Sequence, residues 1–236
     1  PHTKVVGLIG HPVEHSLSPK MHNEIYKKIG LDMIYLAFDI PPDKLLQAVE
    51  GIRAMGFAGF NVTIPHKERI ISYLDEIEEE ARAIGAVNTV KNEKGRLVGY
   101  NTDGMGFISS LLTRGIQCKG KQILMLGAGG AARAIGIYLA KEEPKEILIY
   151  NRTLDRARNL AYAINEYIGK DLSRAVSVLP SHPHVIINTT SLGMWPNIEQ
   201  NPLYGYSLRK DMVVCDIVYN PRMTALLRSA DEGGCT

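Results

Sequence analysis

The run ILMLGAGGAARAI restricts the fold more than any other stretch: an apolar strand passes straight into Gly127-x-Gly129-x-x-Ala132 and then into a helix. In that context each small residue has its own task. Gly127 permits the tight turn, Gly129 lets a pyrophosphate approach the backbone, and Ala132 allows helix and strand to pack closely. Gly127, Ala128, Gly129, Gly130, Ala131 and Ala132 therefore form a candidate pyrophosphate loop, with exposed N–H groups at the helix start facing the negative charge. The plainer reading is a glycine-rich turn that merely joins strand to helix; the context favours the pyrophosphate loop over it.

The rest of the chain extends the same plan. Short Val/Ile/Leu-rich runs alternate with longer segments at helical spacing, the pattern of an α/β protein with a parallel sheet and crossover helices. In the first hundred residues the predicted strands are Lys4 to Ile9, Tyr35 to Ile40 and Gly59 to Ile64. Ser18 and Pro19 read as N-cap and first position of a helix that stops at Gly30. Pro41 to Met55 predicts a second helix, with Leu45, Leu46, Val49 and Ile52 on one apolar face. A third is expected to open at Pro65. The acidic run Asp75 to Glu80 reads as a solvated helix face. Val87 to Tyr100 predicts a hairpin turning at Gly95, and Asp103 to Gly115 a linking helix.

From Gln122 the runs QILMLG, EILIYN, AVSVL, VIINTT and MVVCDIV form a second, doubly wound series. Two domains are expected, a substrate-binding and catalytic one over residues 1–103 and a Rossmann-type nucleotide-binding one over 104–236. One connection is too short for a crossover helix. Only Pro-Ser-His-Pro-His separates Leu179 from Val185. Either these strands are not parallel neighbours or the sequence omits residues there, and the length of the other connections favours omission.

The end of the strand after the glycine loop selects the nucleotide. An acidic residue there would bond a free ribose 2′-hydroxyl, but the sequence reads Asn151-Arg152-Thr153. Arg152, with Arg156 a turn later, suits a 2′-phosphate, so NADP is the expected cofactor. Asp155 leaves NAD as the second choice, and two solvent-facing arginines are the bland reading.

A cofactor domain supplies only one reactant, so the first domain must carry the other. Ser16 and Ser18 flank a helix start, where two hydroxyls and free N–H groups can converge on a carboxylate, although a cap and a loop serine explain them equally. In GFNVTIPHK a strand delivers Asn61 and Thr63 to its carboxyl end and places Lys67 in the first turn of the expected helix. The positive end of a helix dipole would push the ammonium pKa down, the tuning wanted in a general acid/base that exchanges a proton with an alcohol. An exposed surface lysine is the alternative. Asn88 and Asp103 sit at the two outer ends of the hairpin, and Asp103 would orient Lys67 unless it only caps the linking helix, a task Asn101 and Thr102 could share.

Composition removes other classes. Lys plus Arg number 27 against 25 Asp plus Glu, a net charge of +2, far short of a nucleic-acid binder. The 3 cysteines, Cys118, Cys215 and Cys235, lack zinc or disulfide spacing and read as reduced thiols. Neither His11, His15 and His22 nor His182 and His184 have metal-ligand spacing, so no metal is expected. No apolar run is long enough to span a membrane and no signal sequence is visible, which predicts a soluble cytoplasmic protein without membrane partners.

GLIGHPVEHSLSPKMHN, GFNVTIPHK, GAVNTV, GYNTDG, GAGGAARA, NRT and IINTTSLGM, in this order, closely resemble the shikimate dehydrogenase family over nearly the whole chain. The cofactor motif is widespread; the Ser-x-Ser, NVTIPHK and NTDG elements together are specific. The resemblance implies reversible reduction of 3-dehydroshikimate to shikimate with NADPH, a step of aromatic amino-acid biosynthesis. It implies Lys67 and Asp103 as the catalytic pair and Ser16 and Ser18 as carboxylate ligands. It also implies that Thr63, Asn88 and Tyr219 hold substrate polar groups. Gly127 to Ala132 match the pyrophosphate loop and Asn151, Arg152, Thr153 and Arg156 the adenosine phosphate site. Thr190 and Met194 match the nicotinamide neighbourhood. The family fills the Leu179 to Val185 connection with a helix, and it continues past an EGGCT-like segment into a substrate-touching helix and a terminal helix on the first domain. A quinate/shikimate dehydrogenase that accepts NAD is the near alternative, and a catalytically silent nucleotide-binding regulatory protein the distant one.

Overall fold

The computed structural model describes residues 3–236. The chain divides into two compact units, one ending at Thr102 and the other beginning at Asp103.

In the first unit β1 (Lys4–Gly10) lies parallel to both β2 (Met33–Asp39) and β3 (Gly59–Val62). The sheet continues antiparallel through β5 (Thr89–Glu93) and β6 (Arg96–Tyr100), and β4 (Glu76–Ile77) lies parallel to β6 at the edge, giving the order β2-β1-β3-β5-β6-β4. The hairpin turns on Lys94 and Gly95, both at positive φ (56° and 97°), the mirror-image turn whose twist matches a two-stranded ribbon. Helix α1 (Ser18–Lys28) joins β1 to β2, and a short 3-10 turn (Pro42–Lys44) leads into α2 (Leu45–Ala54). Leu45, Val49 and Ile52 of α2 bury against Ile9, Phe60, Val62, Val90 and Leu97 of the sheet. Leu46, expected on that face, is 43% exposed. The buried stripe follows the i, i+4, i+7 line from Leu45 through Val49 to Ile52, and Leu46 falls to one side of it.

Three expectations fail locally. Ser18 is the first helical residue, not the cap; its N–H is held by the Ser16 hydroxyl at 3.2 Å. The acidic run contributes β4 and the start of α3 (Glu79–Ile84) instead of one solvated helix. Asp75 is drawn into the sheet edge by the Leu97 N–H at 2.7 Å and the Arg53 guanidinium at 2.6 Å. No α-helix opens at Pro65, where turns precede a 3-10 helix, Arg69–Tyr73. The Lys67 carbonyl, which an α-helix would bond to the N–H four residues on, accepts from Val87 N–H instead at 2.8 Å, so the ladder cannot propagate.

The second unit begins with α4 (Asp103–Thr113) and is built on a five-stranded parallel sheet. Its strands are β7 (Gln122–Leu126), β8 (Glu146–Tyr150), β9 (Ser173–Val176), β10 (Val185–Asn188) and β11 (Val213–Asp216), in the order β11-β10-β7-β8-β9. The central strand β7 is apolar and buried from Ile123 through Leu126, as a strand covered on both faces must be. Helices α5 (Gly130–Lys141), α6 (Leu154–Ile168) and α7 (Ala225–Glu232) complete the unit, Ala132 being fully buried where α5 meets the sheet.

This strand order resolves the short connection without added residues. β9 and β10 are separated by β8 and β7, a lateral step of about 14 Å at ~4.8 Å per strand, and residues 177–184 cross it with no helix. The sheet face that a crossover helix would cover is filled by Leu179, Leu203, Tyr206 and Leu208 packed with α7, the Tyr206 hydroxyl donating to the Pro180 carbonyl at 2.5 Å. The expected omission is therefore not needed to close the fold.

Candidate active site

In the first unit the polar residues gather where β1, β2 and β3 end. The buried Tyr35 hydroxyl donates to Asn61 Oδ1 at 2.7 Å, and the Asn61 amide donates to the Asn88 carbonyl (3.2 Å) and Thr89 Oγ1 (3.0 Å). Thr89 donates in turn to Asn88 Oδ1 at 2.9 Å, which also accepts the Thr102 N–H at 2.9 Å. Burial pushes the Tyr35 hydroxyl up to about 12, the neighbouring Ser18 hydroxyl acting in the opposite sense. Tyr35 thus stays protonated and donates at neutral pH. One side of its ring is stacked on His22, with centroids 4.3 Å apart.

This chain links two of the expected residues, Ser18 and Asn88; Thr63 follows the end of β3, two residues past Asn61, and is held separately. Thr63 N–H bonds to the Ile9 carbonyl and Thr63 C=O accepts from His66 N–H, both at 2.9 Å, which fixes the turn before Lys67. His66 is fully buried, and its Nε2 bonds the Ile40 carbonyl at 2.7 Å. Lys67 is half-buried, its backbone tied to Val87 beside Asn88. Because no α-helix begins there, a helix dipole does not act on Lys67, and that part of the expectation is withdrawn. Asp103 is the exposed first residue of α4 in the second unit. Asn101 and Thr102, expected to share its cap, bond back to the Ala86 carbonyl and to Asn88.

Sequence reasoning missed Tyr35, Thr89 and the structural part of Asn61. An aromatic hydroxyl in an edge strand whose neighbours Ile34 and Leu36 are exposed was the available signal, since strand alternation turns it inward.

In the second unit two clefts lie at the carboxyl ends of the parallel strands, the position ligands take in open α/β sheets. The first, about 540 Å³, is lined by Gly127, Tyr150, Asn151, Arg152, Leu154, Ser177 and Thr190 among others. Gly127 has φ +107°, and a Cβ there would stand 2.7 Å from Thr189 Oγ1. Around Gly129 and Gly130 the corresponding space is open, and α5 starts at Gly130 with no side-chain cap, leaving its first N–H groups for a ligand. Such a cradle fits a pyrophosphate. Asn151 donates to the Thr153 carbonyl at 2.8 Å, shaping the turn that presents Arg152. Asp155, the residue that kept NAD open, is turned to Arg158 at 2.9 Å. Thr153 and Arg156 do not line the cleft with Arg152, whereas Ser177, at the end of β9, does; nothing in its sequence surroundings marked it.

The second cleft, about 360 Å³, brings together Thr190, Met194 and Tyr219 with Thr189, Trp195 and Asn220. Tyr219 is 84% exposed. Behind this cleft, the half-buried Asp216 and the buried Asn188 form a polar pair that sequence reasoning also missed, although a carboxylate ending the apolar run VVCD is an anomaly worth pursuing. Burial raises the Asp216 carboxyl pKa, against the hydrogen bonds it accepts from Val218 N–H, Thr224 and Asn188.

The cysteines are free thiols. Burial pushes Cys118 up to about 11 and Cys215 to about 12, so both remain protonated and unreactive near neutral pH. Among the described residues no group of three or more His, Cys, Asp or Glu could hold a metal ion, and no helix is long and apolar enough to cross a membrane.

A glycine-loop cleft on a doubly wound sheet, together with a polar strand-end cluster on a separate α/β unit, defines the class: an oxidoreductase of two units that uses a nicotinamide nucleotide. Comparison with known proteins makes this specific. The family model for the shikimate dehydrogenase substrate binding domain matches residues 8–90, and that for shikimate / quinate 5-dehydrogenase matches residues 110–224. The chain belongs to the shikimate dehydrogenase family. It is 49% identical to the shikimate dehydrogenase (NADP(+)) of Methanocaldococcus jannaschii, over 98% of this chain and 83% of that protein. A crystal structure of a shikimate dehydrogenase in complex with NADP+ superposes with a TM-score of 0.92 at 47% identity, covering 99% of this chain and 83% of the other. The shikimate 5-dehydrogenase of Thermus thermophilus, in complex with NADP(H) and shikimate, gives 0.86 at 36% identity, covering 99% and 85%.

Proposed function

We propose that this protein is an NADP-dependent shikimate dehydrogenase that interconverts 3-dehydroshikimate and shikimate. The reading is supported by the relatives' activity and, in the molecule itself, by one observation above the others: the hydrogen-bonded run from Tyr35 through Asn61, Thr89 and Asn88 to Thr102, laid along the strand ends beside the Lys67 turn. It offers a polyhydroxylated ring a row of fixed donors and acceptors, with the Ser16 and Ser18 hydroxyls for its carboxylate. Tyr35 and Asn61 hold Asn88 in register, so that little is reorganised when substrate arrives.

Bound NADPH supplies the hydride. Lys67 gives a proton to the substrate oxygen as the carbonyl becomes an alcohol and takes it back in the reverse direction, with Asp103 orienting the amine. Thr63, Asn88 and Tyr219 hold polar groups of the substrate. Gly127 to Ala132 hold the pyrophosphate; Asn151, Arg152, Thr153 and Arg156 serve the adenosine 2′-phosphate; Thr190 and Met194 flank the nicotinamide. Substrate and cofactor are the small-molecule partners, and the protein works in the cytoplasm.

Steady-state assays of shikimate oxidation with NADP+ and NAD+ test the reading. Lys67→Ala should lower kcat by about two to four orders of magnitude with a modest change in shikimate KM, the scale for a positioned acid/base. Unchanged turnover would remove Lys67 from the mechanism. Equal efficiency with both nucleotides, or activity on quinate, would move the protein to a quinate/shikimate dehydrogenase. NADP+ binding without oxidation of either alcohol would make it a nucleotide-binding protein that has lost its chemistry.

A further inference from the structure

Asp216 lines neither cleft of the nucleotide unit, yet it bonds one wall of the smaller one directly and the other through Asn188. Its Oδ1 accepts from Val218 N–H at 3.0 Å, which fixes the wall Ile217, Val218, Tyr219 and Asn220. The same oxygen accepts from Asn188 Nδ2 at 3.0 Å. Asn188, fully buried at the end of β10, then takes the Thr190 N–H (3.0 Å) and hydroxyl (2.7 Å) on its Oδ1, and Thr190 Oγ1 accepts from Leu192 N–H at 3.2 Å. The opposite wall, from Thr189 to Trp195, therefore hangs on the same carboxylate. Its Oδ2 is occupied by the hydroxyl of the fully buried Thr224, 2.7 Å away, which at the same time caps α7 by accepting from Leu227 N–H.

We propose that Asp216 is a positioning residue: one carboxylate that sets the separation of the 189–195 and 217–220 walls, and through it the seating of the nicotinamide end of the cofactor. This rests on the assignment of NADP to the unit made above. Every contact of Asp216 runs from a donor to the carboxylate, so the group acts as a three-way acceptor and nothing neutral of its size can replace it. Asp216→Ala removes the acceptor of Val218 N–H, of Asn188 Nδ2 and of the Thr224 hydroxyl together, so both walls are released, while Gly127 N–H stays on the Tyr150 carbonyl and Asn151 on the Thr153 carbonyl.

The test uses the full chain and two ligands. On the assignment above NADP+ would span both clefts, whereas adenosine 2′,5′-bisphosphate would reach only the Arg152 end. Asp216→Ala should weaken NADP+ about 10-fold or more, the loss of the charge-assisted hydrogen bonds that hold the walls, and lower kcat by about 10-fold or more through misplacement of the reacting carbon. Affinity for the bisphosphate should stay within about 2-fold. Asn188→Ala, which cuts the link between the carboxylate and the 189–195 wall at a residue that lines neither cleft, should show the same contrast at about 3-fold or more and serves if Asp216→Ala does not fold. Loss of both ligands in proportion, with a lowered melting temperature, would mean that Asp216 merely holds the fold together and would overturn the proposal. So would variants that match the wild type with both ligands and in kcat. A wild-type chain that bound neither ligand would remove the cofactor assignment itself, and this inference with it.

Discussion

Gly127→Ala isolates the first turn of the nucleotide unit. At φ +107° any L side chain is strained, at about 1–3 kcal/mol. The added Cβ would also lie 2.7 Å from Thr189 Oγ1 and 3.0 Å from Thr190 Cγ2. Thr189 cannot retreat freely, because its buried hydroxyl donates to the Leu126 carbonyl at 2.7 Å, and breaking that bond adds about 1–3 kcal/mol. The sum is about 2–6 kcal/mol. At about 3–5 °C per kcal/mol for a unit of this size, melting should fall by ~6 °C at the least. The chain has 1 tryptophan, Trp195, and it lies in this unit, so its fluorescence follows the transition of interest without a contribution from the other. Gly129→Ala is the control. Its φ is −93° and nothing stands within 4 Å of a Cβ built there, so the apo protein should melt within about 1 °C of wild type. That same Cβ enters the space meant for pyrophosphate, so NADP+ affinity should drop about 10-fold or more. Two glycines of one motif thus separate stability from binding. Equal melting of Gly127→Ala and wild type, or destabilisation of apo Gly129→Ala, would refute this division of labour.

Two further outcomes are expected. Arg152→Ala should cut kcat/KM for NADP+ by about 5- to 30-fold, the worth of a solvent-exposed charge-assisted contact, and leave NAD+ nearly unchanged; retained preference for NADP+ would send the search to Arg156. Asp75 has its carboxyl pKa lowered, first by the Leu97 N–H and then by Arg53. Its contribution is therefore present above the ordinary carboxylate pKa and lost as pH falls through the depressed folded value. Urea midpoints followed by circular dichroism should decline below about pH 4, and less steeply in Asp75→Asn, whereas parallel pH profiles would exclude Asp75 as a contributor.

The alternation of strand and helix was legible because apolar period and length carry it, and the glycine loop was legible because its neighbours supply the context. What escaped were features decided by distant partners. The 3-10 helix after Pro65 follows from Val87 taking the Lys67 carbonyl, a contact from well downstream in the chain that no local propensity encodes. The strand order β9-β8-β7-β10, which makes a short connection sufficient, depends on pairing among strands far apart in sequence. Tyr35 and Asp216 were overlooked for a related reason. Each is a single polar group inside an apolar run, and its importance lies in the donors and acceptors that folding brings to it.

The passage from β9 to β10 has one more implication. Residues 177–184 cross the sheet as bare chain, anchored where Tyr206 meets Pro180, where Arg209 meets the His182 ring, and where His184 bonds Gln122 and Val213 at the starts of β7 and β11. Loop-closure entropy rises by only about 0.6 kcal/mol for each doubling of length. A tag or reporter peptide grafted at the exposed Ser181, between the Pro180 and His182 anchors, should leave the strand pairing intact. The same span that lets this scaffold be economical also makes it a natural attachment point for engineering.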